Sequence, residues 1–140
     1  MEMKTILAFR VAPQKLGKLR FCAMKLGMRV VEVPAADFGQ TLGALCGLSE
    51  RQEGAPVPES DLGGEMLYFA FSELPLVDRF LTTMKQMRVP PVQLKGVMTE
   101  TNLTWTPAAL YRELHGEHQA MTGHGAPIHA AQQEESTDAD

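Results

Sequence analysis

The sequence predicts an α+β domain with a ferredoxin-like four-stranded sheet made of two βαβ units. Two stretches, FRVAPQKLGKLRFCAMKLGMRV at residues 9–30 and FAFSELPLVDRFLTTMKQMRV at residues 69–89, share residues at an offset of 60, from Phe9 to Phe69. Each stretch has the pattern of strand, helix, strand, so the chain is interpreted as an internal pseudo-repeat of residues 4–33 and 65–98. Hydrophobic residues make up 44% of the 140 residues, enough for a core without a disulfide or metal.

The first unit begins with a nearly continuous apolar strand at residues 4–11. Pro13 begins a helix, because N–H groups in the first turn have no acceptor within the helix and proline therefore loses no hydrogen bond there. Gly27 ends that helix. Residues 29–33 then alternate between apolar and polar, as expected of a strand with one buried face. After this strand, Asp37 is predicted to cap an extra helix that continues to Gly47.

The second unit repeats this order. An apolar strand at residues 65–71 is followed by a helix that opens at Pro75 and ends before Pro90. Residues 92–98 alternate like the second strand. Thr106 is predicted to cap a C-terminal helix from Pro107 to about residue 120.

The strand patterns predict which strands lie in the middle of the sheet. The first and third strands are apolar on both faces and the other two alternate, which favours the ferredoxin-like order 4-1-3-2. The alternative is an α/β doubly wound parallel sheet. With both main helices on one face, the other face needs cover from the extra helix, the C-terminal helix or a second subunit. A homodimer through the open sheet face, or a ligand held there, follows from this arrangement.

The domain organisation is predicted from composition. Residues 1–121 form one domain, residues 49–64 are interpreted as an exposed loop rich in Gly, Pro and acidic residues, and residues 122–140 as a disordered tail.

Charge and composition argue against several classes of function. The net charge of −4 and the 6% aromatic content disfavour binding to nucleic acid and to anionic membranes. No signal peptide or membrane span is visible, so a cytoplasmic location is expected. Cys22 and Cys46 lack metal-ligand spacing and are predicted to be buried free thiols.

Residues 99–106 carry the densest group of polar side chains, at the point where a strand leads into a helix. Such a loop can hold an anion or a small polar ligand, with an apolar wall from its tryptophan and a positive charge from Lys95 if that lysine faces the loop. The other interpretation is turn chemistry, in which the polar side chains satisfy local backbone. The hypothetical ligand-binding residues are Lys95, Thr99, Thr101, Asn102, Thr104 and Trp105.

We expect a non-enzymatic ligand-binding or regulatory module, since no nucleophile has an evident base and no cofactor motif is present. One alternative is a small enzyme or metal protein that uses Lys95 or the pair His115 and His118, which share a helix face. Another alternative is a protein-interaction domain that uses the acidic tail or the loop at residues 49–64.

Three segments within residues 63–118 resemble a bacterial family known as domain of unknown function 3783. These segments are EMLYFAFS, FLTTMKQMRVPPVQLKGVMTETNLTW and LYRELHGEH, and the most specific stretch is LKGVMTETNLTW. The resemblance implies that Lys95, Thr99, Thr101, Asn102 and Trp105 belong to the family's own pattern. It implies no activity, substrate or cofactor, and the first 60 residues and the tail lie outside it.

Overall fold

The computed structural model describes residues 4–54 and 62–124, with side chains as far as Glu117. Its class is α+β, as predicted, with a four-stranded mixed sheet and four helices. The elements follow in the order β1 (Lys4–Phe9), α1 (Pro13–Lys25), β2 (Met28–Glu32), a 3₁₀ turn (Ala35–Asp37), α2 (Leu42–Leu45), β3 (Met66–Phe69), α3 (Leu74–Gln86), β4 (Leu94–Val97), a second 3₁₀ turn (Asn102–Thr104) and α4 (Pro107–His124).

The strand order is β2-β1-β3-β4, which corrects the predicted order 4-1-3-2. β1 and β3 are the middle strands, as predicted, and they run antiparallel, with Ile6 opposite Phe69 and Phe9 opposite Met66. This antiparallel pair also rules out the alternative of a fully parallel sheet. β2 pairs in parallel with β1, and β4 pairs in parallel with β3.

The correction has a simple physical origin. The alternating apolar and polar pattern of β2 and β4 identifies them as edge strands. The pattern does not depend on which central strand each of them pairs with. In a ferredoxin-like sheet the two strands of one βαβ unit are split by a strand of the other unit. Here each unit keeps its own strands adjacent, and the bond from Val33 N to Ala8 O at 3.0 Å extends the pairing of β1 with the end of β2.

Helices of the same chain cover both faces of the sheet. α1 and α3 pack on one face, the α1–α3 face, around Ile6, Leu67 and Phe80. On the opposite face, the α2–α4 face, Leu7, Tyr68 and Leu110 pack with α2 and both 3₁₀ turns. The face that the sequence left open to a dimer partner is therefore covered by α2 and α4, two of the three predicted covers.

The first strand and the helix of the two βαβ units correspond at an offset of 61 residues, one more than the sequence identities suggest. The buried positions of α1 (Leu16, Leu19, Cys22 and Ala23) become the buried positions of α3 (Val77, Phe80, Thr83 and Met84) at this offset. At the sequence offset of 60, by contrast, exposed Met24 would match buried Met84. The match of Phe9 with Phe69 is also wrong, because these side chains lie on opposite faces of the sheet.

The segment after β2 differs from the predicted extra helix. It contains a 3₁₀ turn and the four-residue α2, and the cap is Thr41, whose Oγ1 accepts a bond from Ala44 N at 3.2 Å. Asp37 instead forms an ion pair with Arg51 at 2.7 Å. Thr106 caps α4, as predicted, with Oγ1 accepting from Ala109 N at 3.3 Å.

Two predicted segments fall partly outside the described residues. α4 continues to His124, so the first three residues of the predicted tail are helical, and residues 125–140 lie outside the described part of the chain. In the predicted exposed loop at residues 49–64, residues 55–61 are likewise outside it. Leu62 at the end of that loop is 3% exposed and packs on the α2–α4 face.

Candidate functional site

Asn102 is the structural centre of the polar loop between β4 and α4. Its Oδ1 accepts bonds from Tyr68 Oη at 2.6 Å and from Thr99 N at 2.9 Å, and its Nδ2 donates to Val97 O at 2.9 Å. Asn102 N in turn donates to Thr99 Oγ1 at 3.0 Å. Asn102 therefore joins the loop to β3 and to the end of β4, and both acceptor positions of its side-chain oxygen are occupied.

Tyr68 lies in the middle of the sheet and is fully buried. A buried hydroxyl needs a partner, and Asn102 supplies it. Burial, and to a smaller extent the nearby Cys46, raises the pKa of Tyr68 far above its ordinary value. Tyr68 is thus a neutral hydrogen-bond donor that holds the polar loop in place.

The other predicted loop residues are three exposed threonines and one half-buried tryptophan. Thr99 and Thr101 are exposed, and Thr99 forms two hydrogen bonds with Asn102. Thr104 is exposed as well, and its Oγ1 donates to Thr101 O at 3.0 Å. Trp105 is half-buried against the α2–α4 face, and its carbonyl accepts a bond from Leu42 N at the start of α2, at 2.8 Å.

Lys95 does not join this loop. Its neighbours in β4, Leu94 and Val97, pack on opposite faces of the sheet, and alternation places Lys95 with Val97 on the α1–α3 face. Its Nζ donates to Val92 O at 2.7 Å, and burial lowers the pKa of the amine. The positive charge expected at the loop is therefore on the other side of the sheet.

A cleft of about 570 Å³, named here the α2 cleft, lies between the polar loop and the segment that contains α2. One wall comes from three residues of the predicted loop, and the other from residues 40–52. Apolar surface is supplied by two leucines, so Trp105 is not the apolar wall that the sequence predicted. The lining residues are Gln40, Thr41, Gly43, Leu48, Ser49, Glu50, Gln52, Glu100, Leu103 and Thr104.

The two walls lie close together at Gly43. A Cβ atom at this position would lie 2.8 Å from Ser49 Oγ and 3.1 Å from Leu103 O, so any larger residue would push α2 away from the loop. The second wall is also held by Gln40, which is 8% exposed. Its Nε2 donates to Gln52 O at 2.8 Å, and its Oε1 accepts from Gln52 N at 2.7 Å.

The charge of the α2 cleft is negative. Glu50 and Glu100 line it, and the lining contains no Lys, Arg or His. The nearest cation in sequence, Arg51, is bound to Asp37. The loop was predicted to suit an anion or a small polar ligand; its surroundings favour a polar molecule with a positive charge or several N–H donors.

Sequence reasoning found only one wall of this cleft. Thr104 was predicted as a site residue, whereas Glu100 and Leu103 were within the loop but were not selected. The opposite wall was missed because residues 49–52 were interpreted as part of an exposed loop. The available signal was the polar run from Ser49 to Gln52 directly after a short helix.

The weaker candidates for chemistry lie elsewhere. His115 is exposed and stacks on Tyr111 with ring centroids 5.7 Å apart, while the side chain of His118 is outside the described residues. Among the described side chains, no group of three or more His, Cys, Asp or Glu could hold a metal ion. Both cysteines are free, and burial raises their pKa values; Cys22 is buried on the α1–α3 face, whereas Cys46 is half-buried on the opposite face.

Comparison with known families confirms the resemblance predicted from the sequence. The model of the family described as Domain of unknown function (DUF3783) matches residues 75–121, from the first turn of α3 into α4. The polar loop and one wall of the α2 cleft are within this span, whereas the other wall precedes it. No curated protein and no solved structure matches the chain. Among the described residues, no helix has the length and apolar character needed to cross a membrane.

Proposed function

Because residues 75–121 match a family whose function is unknown, we propose a function from the α2 cleft: non-enzymatic binding of a small polar ligand that carries a positive charge. The cleft itself carries this proposal, since the loop predicted to meet a ligand borders a concave volume of about 570 Å³. That volume is within the range of small-molecule sites.

The construction of the two walls supports the proposal. The loop wall is fixed from behind by Asn102 and Tyr68, which leaves Glu100 and Thr104 at the solvent-facing side. The opposite wall is fixed by the reciprocal bonds of Gln40 and Gln52. Walls that are held by internal hydrogen bonds lose little conformational entropy when a ligand binds, which favours affinity.

The chemistry of the lining supports the class of ligand. Two carboxylates attract an amine or guanidine group, and hydroxyl and amide groups of Thr41, Ser49 and Gln52 offer further hydrogen bonds. Leu48, which is 62% exposed, and Leu103 give apolar contact for a hydrocarbon part. Amino acid derivatives with a free amine and polyamines fit this description.

The test is a screen of such compounds by thermal shift, followed by calorimetric titration of each hit. We expect a hit to lose at least tenfold in affinity when Glu50 or Glu100 is replaced by Gln, because either change removes a charged partner. Glu113→Gln is the matched control, since Glu113 is exposed on α4 and does not line the cleft. A screen in which no compound depends on Glu50 or Glu100 overturns the proposal.

Asn102 is not a suitable position for a variant that tests ligand binding. Its side chain makes three internal hydrogen bonds, so its loss changes the loop whether or not a ligand binds. Thr104→Ala removes a hydroxyl from the lining without touching the buried bonds, and it is the better second variant.

A further inference from the structure

The outer side of α1 carries an unusual combination of exposed apolar and unpaired basic residues. Phe21 is 44% exposed and Met24 is 66% exposed. Lys18 and Lys25 are exposed on the same side of the helix and form no ion pair with any described residue, although Lys25 Nζ lies 5.7 Å from the centre of the Phe21 ring. The whole helix contains four basic and no acidic residues.

The second βαβ unit provides an internal comparison. At the structural offset of 61, Phe21 and Met24 correspond to Thr82 and Lys85, which are exposed and polar. The exposed apolar residues of α3 lie near its two ends instead, at Leu74 and Met87. Two helices that pack equally on the same sheet therefore differ on their outer sides, so the apolar surface of α1 is not required by the packing of this fold.

The chain contains a segment with the complementary charge. All 13 Lys and Arg residues precede residue 125, as do 13 of the 17 acidic residues, so the net charge of −4 resides in the remaining four acidic residues. They lie in residues 125–140, which contain no Lys or Arg and one large apolar residue, Ile128.

The length of this segment is sufficient to reach α1. Sixteen residues span up to roughly 53 Å when extended, and the domain formed by the preceding residues has a radius of gyration of about 14 Å for its size. The segment starts at the end of α4, on the α2–α4 face, so it has to pass around the sheet. Its acidic residues are in its second half, far enough from His124 to make this possible.

We propose that residues 125–140 bind in cis to the outer side of α1, with their carboxylates near Lys18 and Lys25 and apolar contact at Phe21 and Met24. The opposite charges attract each other, and the covalent connection supplies a high effective concentration, so a weak interface is sufficient.

The experiment uses photo-crosslinking in the full-length chain. p-Benzoylphenylalanine replaces Phe21 in one variant and Thr82 in a matched control; both positions are exposed, and retained melting temperatures verify folding. After irradiation at micromolar concentration, mass spectrometry maps the crosslinks. We expect intramolecular crosslinks from position 21 to residues 125–140, with at least fivefold lower yield from position 82.

Charge is tested by E134Q, E135Q, D138N and D140N together, in the variant with the crosslinker at position 21. We expect this change, or an increase of salt from 0.05 to 0.5 M, to reduce the yield about threefold or more. The proposal is overturned by equal yields from the two positions, by crosslinks that appear only as covalent dimers, or by a yield that is insensitive to charge.

Discussion

Replacement of Asn102 by Ala tests the account of the polar loop most directly. The substitution removes three hydrogen bonds, to Tyr68 Oη, Thr99 N and Val97 O. Thr99 is exposed and can bond to water, but Tyr68 is fully buried. A buried polar group without a partner costs about 1–3 kcal/mol, so the loss for Tyr68 and Val97 together is expected to be about 3 kcal/mol.

Tyr68→Phe turns this expectation into a double-mutant cycle. In the native background it removes one hydrogen bond and costs about 1 kcal/mol, since Asn102 Oδ1 keeps its bond from Thr99 N. In the Asn102→Ala background the same change removes an unsatisfied hydroxyl and should therefore stabilise the protein. The predicted coupling energy is about 2 kcal/mol, within the range for residues in contact.

The assay is urea unfolding followed by circular dichroism, with Thr101→Ala as control. Thr101 is exposed and its side chain caps nothing, so its replacement should change the free energy of unfolding by less than about 0.5 kcal/mol. The reasoning fails if Asn102→Ala costs no more than this control, or if Tyr68→Phe is equally destabilising in both backgrounds.

Arg88 has a φ of 60° at the position where α1 has Gly27, so Arg88→Gly should stabilise the protein by about 0.5–1 kcal/mol and Gly27→Ala should destabilise it; a lower urea midpoint for Arg88→Gly contradicts this. Gly43→Ala should cost about 1 kcal/mol because its Cβ would crowd Leu103 O, and an unchanged midpoint would disprove the close approach. The pKa of Tyr68 is raised in the folded protein. The residue therefore makes its full contribution to the free energy of unfolding below pH 10, and this contribution falls above pH 10 by about 1.4 kcal/mol per pH unit. Unfolding measured at pH 9 to 11 should show a weaker alkaline decline in Tyr68→Phe, and equal declines would refute this assignment.

Local chemistry made most helices and strands predictable. Pro13 and Pro75 mark the first turns of α1 and α3, and Thr106 caps α4 as its position before Pro107 suggests. The middle strands were predictable because they are buried on both faces. The pairing of each edge strand was not, since β2 and β4 would present the same alternating pattern on either side of the sheet.

The candidate site was less predictable because its walls come from distant parts of the sequence. Asn102 was predicted either to meet a ligand or to satisfy local backbone, and its side chain bonds to Thr99 N and Val97 O as the second interpretation expects. The third bond, from Tyr68 on the α2–α4 face of β3, could not be predicted from the local sequence. Lys95 was assigned to the loop although the parity of β4 directs it to the other face. Glu50 and Gln52 line the candidate site only because α2 packs against the second 3₁₀ turn. The absence of a side chain at Gly43 allows this contact.

The position of Trp105 gives the protein a built-in optical reporter. It is the single tryptophan of the sequence, it adjoins Thr104 in the cleft wall, and its carbonyl anchors the start of α2. A half-buried indole changes its emission wavelength when the surrounding water or packing changes. Fluorescence of the unlabelled protein can therefore follow occupancy of the cleft and displacement of α2 in the same titration.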